Sequence, residues 1–240
     1  MITVDILPIL DDNYAYLTSA PCGATAIIDP GHGSQVIKHL EEKNIKPDYI
    51  LNTHHHWDHV NGNPKVKAKY GCKIAAPIRR EDLIKGGVDI PLREGDIFKL
   101  GEEEAVIIET PGHTMDGICF YFKDSKIIFT GDTLFSMGCG RLFEGTPEDM
   151  FNSFQKISAL PDDTMIYPGH EYTRANAGFC LSEDRHNEAL KARIAEVKDL
   201  RAKDMPSIPV SLKCEKETNI FMKAKSADEF AALRQKKDNF

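Results

Sequence analysis

The segment Thr53-His54-His55-His56-Trp57-Asp58-His59 crowds imidazoles and a carboxylate together, the donor types that bind Zn²⁺, Fe²⁺ or Mn²⁺. His54 and His56 are two residues apart at the end of the apolar run Asp48–Asn52. In an extended chain such residues point to the same side, so their nitrogens can chelate one metal. Asp58 and His59 follow after a turn and can reach a second. Further donors lie downstream, each after an apolar run and a glycine: His113 in Thr110-Pro-Gly-His-Thr, Asp132 in Phe129-Thr-Gly-Asp-Thr and His170 in Tyr167-Pro-Gly-His-Glu. Glycine permits the tight turns that let a rigid sheet aim several donors into one cleft. The implied chemistry is hydrolysis by a metal-held water whose pKa falls towards ~7. No G-x-S-x-G elbow is present, so no serine nucleophile is expected. Isolated histidines are more often packed or solvated, and His32, His39 and His186 read that way. His55, between two candidate ligands, is expected to point away from them. Asp29, in Ile28-Asp-Pro-Gly, fits a turn residue and a partner orienting a ligand imidazole equally well.

The elements that must position these residues are mostly short strands. Thr3–Ile6, Tyr14–Thr18, Thr25–Ile28, Asp48–Asn52, Lys73–Ala76, Ile97–Leu100, Ala105–Glu109, Ile118–Phe122, Ile127–Phe129 and Thr164–Tyr167 have strand character. Gln35–Lys43 carries Val36, Ile37 and Leu40 at helical spacing. Thr146-Pro-Glu-Asp marks a capped helix start, and Ser226-Ala-Asp-Glu a second capping box. After about Tyr172 the composition shifts. Asn187–Lys203 reads as an amphipathic helix, Met205–Val210 with its prolines as an extended connector, and Ala227–Lys237 as a final helix.

The 240 residues suffice for one large domain with a small appendage. A net charge of −7 speaks against a nucleic-acid partner. No apolar run approaches the length of a membrane span, and the N-terminus has no signal-peptide pattern. A cytoplasmic protein is therefore expected, or one of the mitochondrial matrix if a transit peptide has been removed. The six cysteines contain no C-x-x-C pair and read as free thiols, Cys139 as a small packed residue.

The H-x-H-x-D-H spacing at 54–59, followed by His113, Asp132 and His170, resembles the metallo-β-lactamase superfamily. That resemblance implies an α+β fold, a four-layer αβ/βα sandwich over residues 1–172, with residues 173–240 as a helical substrate-binding domain. It implies that His54, His56 and His113 hold one metal, that Asp58, His59 and His170 hold the other, and that Asp132 bridges them. Two divalent ions per chain are thus expected, zinc first, with iron or manganese accepted by the same donors. Thr53–His59, Gly138–Thr146, Tyr167–Thr173 and Leu233–Phe240 are similar to the hydroxyacylglutathione hydrolases, or glyoxalase II. By that resemblance Arg141, Phe143, His170, Tyr172, Arg234 and Lys237 line a glutathione site. Without it, Arg234 and Lys237 read as a solvated helix face and Arg141 as part of a glycine-rich loop. Phe143 stands where many relatives carry Tyr, which puts one polar contact in doubt. Thr218-Asn-Ile-Phe lacks the proline that often precedes the phenylalanine. The implied reaction converts S-D-lactoylglutathione to glutathione and D-lactate, the second step of methylglyoxal detoxification. It proceeds by attack of a metal-bridging hydroxide that Asp58, as catalytic residue, orients. The implied partner is a small glutathione thioester, with no nucleic acid or membrane, and the chain is expected to be a monomer. The alternative on the same fold is an iron-dependent glutathione persulfide dioxygenase; the last helix, with Arg234 and Lys237, favours the hydrolase.

Overall fold

A computed structural model describes the whole chain, Met1–Phe240. It divides into two compact units. One comprises Met1–Glu109 with Asp116–Ser125, the other Thr110–Met115 with Lys126–Phe240.

In the first unit, β1 (Thr3–Ile9), β2 (Asn13–Ser19), β3 (Thr25–Ile28), β4 (Tyr49–Leu51), β5 (Lys73–Pro77) and β6 (Ile90–Leu92) form one sheet in chain order. The pairs β1–β2 and β2–β3 are antiparallel, while β3 through β6 run parallel. The parallel strands are apolar without alternation, as strands covered on both faces must be; Ile27, Ile50, Leu51 and Ile74 are fully buried. Helix α1 (Gly33–Glu42) makes the β3-to-β4 crossover and buries Val36, Ile37 and Leu40. His32 is its N-cap, accepting from Gln35 N at 3.2 Å. The β4-to-β5 crossover carries the four-residue helix α2 (Trp57–Val60) and then α3 (Asn63–Tyr70). Strands β7 (Ile97–Leu100), β8 (Glu103–Glu109) and β9 (Ile118–Phe122) pair antiparallel with one another in a ladder that is not part of that sheet.

Parallel neighbours end at the same sheet edge. The residues after β3 therefore lie beside those after β4, which puts Asp29 next to Thr53 and the motif that follows it. Open parallel sheets use this edge, at the carboxyl ends of their strands, for chemistry.

In the second unit, β10 (Ile127–Gly131) pairs parallel to β13 (Met165–Pro168), which pairs antiparallel to β14 (Val210–Ser211). Between β10 and β13 come a short ribbon, β11 (Leu134–Phe135) with β12 (Gly138–Cys139), and α4 (Pro147–Ser158). The remainder is helical: α5 (Thr173–Glu183), α6 (Glu188–Arg201), α7 (Leu212–Thr218), α8 (Ile220–Lys223) and α9 (Ala227–Asp238). The helices expected at 187–203 and 227–237 are α6 and α9. Residues 205–209 of the expected connector lie in no helix or strand, and Val210 opens β14.

Thr146 forms the expected capping box with Asp149. The second box is half of what the pattern predicts. Ser226 Oγ accepts from Glu229 N at 3.2 Å, but Glu229 reaches back to Lys225 N at 2.8 Å instead of to Ser226 N. No helix is long and apolar enough to cross a membrane.

The C-terminal helices pack through aromatics. Phe230 of α9 is fully buried, its ring 5.2 Å from those of Phe154 and Phe221. Phe230→Ala is expected to lower unfolding free energy by about 3–5 kcal/mol in urea titration. A loss under about 1 kcal/mol would show that α9 does not belong to this core.

Candidate metal centre

In the first unit, the motif leaves the sheet after Leu51 and is fastened at once by Asp29. Asp29 Oδ1 accepts from Thr53 N at 2.9 Å, and Oδ2 accepts from Thr53 Oγ1 at 2.7 Å and from His59 Nδ1 at 3.0 Å. Having given its hydrogen to Asp29, Thr53 Oγ1 accepts one from His54 Nδ1, 3.0 Å away. Bonds to acceptors place the hydrogens of His54 and His59 on Nδ1 and leave each Nε2 as a lone-pair donor, as metal-binding imidazoles require. The turn that aims Asp29 is tight. Asp29 has φ 48°, a left-handed conformation that Asp tolerates better than most residues. A Cβ on Gly31 would lie 1.7 Å from the carbonyl oxygen of Asp58. The His54 ring is 4.2 Å from that of His59 and 4.8 Å from that of His56. Asp58 Oδ2 accepts from Asn13 Nδ2 at 2.9 Å and lies 3.6 Å from His59 Nε2. His55 is turned to Asp116, with Nδ1 2.8 Å from Oδ1.

In the second unit, Asp132 is the focus. Its Oδ2 lies 3.4 Å from His113 Nε2 and 3.2 Å from His170 Nε2. His113 Nδ1 donates to the carbonyl oxygen of Arg141 at 2.7 Å. A carbonyl has no hydrogen to give, so Nδ1 carries a ring hydrogen and, in the neutral ring, Nε2 turns its lone pair to a carboxylate oxygen. That opposition is relieved by a cation between the two, and imidazole with carboxylate is a donor set for a divalent first-row metal. The same opposition of Nε2 and carboxylate oxygen recurs at His59 and Asp58. His54, His56, Asp58, His59, His113, Asp132 and His170 each offer a ligand atom of the right type.

Around Asp132, Tyr172 stacks on His170, centroids 4.6 Å apart and planes 6° apart, and Phe135 stands edge-on to both. Phe143 is 62% exposed and its ring lies 5.2 Å from that of His113. Arg234 is not a solvated helix residue: it is buried, donates to the carbonyl of Cys139 at 3.0 Å and pairs with Asp238 at 2.8 Å. Asp238 also receives the exposed Arg141, 3.4 Å away, so one carboxylate joins Arg234 to Arg141. Lys237 is half-buried over the rings of Phe179 and Phe240, and Nζ donates to the carbonyl of Ala175 at 3.3 Å. Burial, then the nearby Arg234, holds its pKa below the usual lysine value. Sequence reasoning missed Asn13 and Asp238. The spacing of Arg234 and Asp238, i and i+4 on one helix, was the available signal for the second; Asn13 left none.

Residues 10–170 match the family described as the metallo-beta-lactamase superfamily, and residues 171–240 match the hydroxyacylglutathione hydrolase C-terminus. A hydroxyacylglutathione hydrolase of Pelagibacter ubique is 46% identical over 238 residues, 99% of each chain. That of Rhodospirillum rubrum is 43% identical over the full length of both. The chain belongs to the hydroxyacylglutathione hydrolase family of the metallo-β-lactamase superfamily. Its fold is accordingly the expected αβ/βα sandwich with a helical C-terminal region. Among solved structures, ETHE1 from Myxococcus xanthus superposes with a TM-score of 0.75 at 22% identity, over 97% of this chain and 90% of that one. TTHA1623, described in a di-iron-bound form, gives 0.58 at 26% identity over 70% and 91%.

In this family member, the C-terminal helices also fasten the ribbon β11–β12. Glu215 of α7, fully buried, accepts from Ser136 Oγ at 3.0 Å, Met137 N at 2.8 Å and Asn219 Nδ2 at 3.0 Å. Asn219 Nδ2 also donates to the carbonyls of Gly138, at 3.0 Å, and Phe135, at 3.3 Å. Burial pushes the Glu215 carboxyl from 4.5 up to about 7, against hydrogen bonds that lower it. The folded chain thus keeps a proton between these values that the unfolded chain has lost, so stability falls as pH rises through that window. The fall totals on the order of 3 kcal/mol. Thermal unfolding at pH 5 and pH 8 is expected to show a smaller drop in Glu215→Gln than in the unaltered chain. Equal drops would exclude Glu215 as the titrating group.

Proposed function

We propose that this chain is a hydroxyacylglutathione hydrolase that cleaves S-D-lactoylglutathione to glutathione and D-lactate with two divalent metal ions. The observation that carries this reading is the donor set itself, with His113 and His170 turning Nε2 to Asp132 Oδ2 at 3.4 and 3.2 Å, in a chain whose residues 171–240 match the C-terminal region of that family. His54, His56 and His113 are assigned to one ion, Asp58, His59 and His170 to the other, and Asp132 to both. Zinc is the first expectation and iron the second, the latter because TTHA1623 is described with two irons. Residues 1–172 carry the metals and 173–240 serve substrate binding. We place the protein in the cytoplasm as a monomer acting on a small molecule.

Bound there, two divalent ions supply Lewis acidity and a water acidified towards neutral pH. The protein supplies orientation. Asp58, steadied by Asn13, accepts a hydrogen from the attacking water and turns its lone pair to the thioester carbon. Asp29 and Thr53 hold His54 and His59 in the required tautomers. Arg141 and Lys237 bind the carboxylates of glutathione by charge-assisted hydrogen bonds. Arg234 steadies Arg141 through Asp238. The departing thiolate is a stable anion, so no protein acid is needed to protonate it.

The test is hydrolysis of S-D-lactoylglutathione by metal-replete protein, followed by loss of thioester absorbance. Asp58→Ala is expected to lower kcat about 10²–10⁴-fold. Lys237→Ala is expected to raise KM about ten-fold while kcat stays within a few-fold. Absence of turnover would contradict the proposal, and oxygen uptake with glutathione persulfide would replace it with the dioxygenase.

A further inference from the structure

His55 carries the same imidazole as its neighbours yet lies outside the proposed ligand set. Its Nδ1 is 2.8 Å from Asp116 Oδ1, and the Asp116 side chain is wholly buried, 0% exposed. The other oxygen, Oδ2, is buried with no hydrogen-bond partner. Carboxylates removed from water and left half-matched are costly, so a native fold that keeps one calls for a reason. Nothing in the reaction described above uses either residue.

Their placement supplies the reason. Residues 52–56 lie between the end of β4 and the start of α2, outside any strand or helix. At the upstream end Asp29 holds Thr53, and the start of β9 joins it through Ile118 N to the carbonyl of Thr53 at 2.9 Å. At the downstream end α2 closes on His56, with His59 N 3.0 Å from its carbonyl. The bond from His55 to Asp116 is a tether in the middle of this stretch. The stretch bends at Thr53 and His54, and the tether at His55 fixes its course between the two anchored ends, which sets where His54 and His56 project. The His56 ring lies 4.8 Å from that of His54 and 5.1 Å from that of His55. The tether also keeps a third imidazole out of the donor set. Asp116 lies three residues after His113 in the chain, so the tether is also the point at which the loop bearing that ligand rejoins β9.

We propose that Asp116 is a positioning residue that, through His55, fixes His54 and His56 for metal binding. The proposal rests on the two-metal reading, and the experiment separates the two. Metal-free protein is titrated with zinc in competition with a chromophoric chelator, and the melting temperature of the metal-free form is measured alongside. Asp116→Ala and His55→Ala are each expected to weaken zinc binding about 10–100-fold. The double variant should be no weaker than either single one, because both remove the same tether. Asp116→Asn should recover most of the loss, since its amide oxygen still accepts the Nδ1 hydrogen. Where Asp116→Ala fails to fold, His55→Ala and Asp116→Asn decide. Unaltered zinc affinity in folded His55→Ala overturns the proposal. So does an additive loss in the double variant, or an Asp116→Asn variant as weak as Asp116→Ala, for then Asp116 acts through packing alone. If the unaltered chain binds no zinc, the two-metal reading falls and this proposal with it; binding by the unaltered chain with unaffected variants removes the tether only.

Discussion

An imidazole can bind a metal through one nitrogen only if its other nitrogen keeps the ring hydrogen and has somewhere to put it. That constraint organises much of this chain. Asp29 accepts from His59 directly and from His54 by way of Thr53, and the carbonyl of Arg141 accepts from His113. Asp29 and the Arg141 carbonyl come from segments remote in sequence from His59 and His113, and the Thr53 hydroxyl beside His54 is itself oriented by Asp29, so the tautomers are set only once the chain has folded. The cost is a left-handed backbone at Asp29 and glycines where no side chain fits, as at Gly31.

The two ends of the chain meet this demand differently. In the first unit a parallel sheet does it, because β3 and β4 finish at one edge and place Asp29 against Thr53. In the second, no long strand runs past His113. The acceptor is instead the backbone at Arg141, just after a ribbon only two residues to a side. Such a ribbon needs outside support, and α7, α8 and α9 provide it: Glu215 and Asn219 hold its tip, and Arg234 holds the carbonyl of Cys139. The C-terminal helices therefore build the ground under His113 as well as presenting Lys237. Burying Glu215 for this purpose makes the region sensitive to pH.

How legible all this is in the sequence depends on distance along the chain. The donors themselves announce their chemistry through local spacing and through the glycines at strand ends. The helix starts at Thr146 and Asn187 are equally local. Asp29 remained ambiguous between a turn and a ligand partner because the answer lies in which strands are neighbours. The structure makes it both, since Gly31 N also bonds to its carbonyl at 2.8 Å. Asp116 and Asn13 give no signal, for the partners His55 and Asp58 lie tens of residues away, and the nearby Asn219 does not reveal that Glu215 is buried against Ser136 and Met137. Arg234 reads as a surface residue of α9 because an i, i+4 pair with Asp238 fits a solvated helix equally well, and nothing in a Lys/Arg-rich stretch reveals that this cation is folded inward over Phe221. The short strands β11, β12 and β14 carry too few residues to show a period.

The measurement that bears most directly on the central claim is anomalous X-ray scattering, at the zinc edge, from crystals of the zinc-reconstituted protein. The account predicts two peaks per chain, one ligated by His54, His56 and His113, the other by Asp58, His59 and His170, with Asp132 reaching both. A single peak, or none in a correctly folded chain, would contradict it.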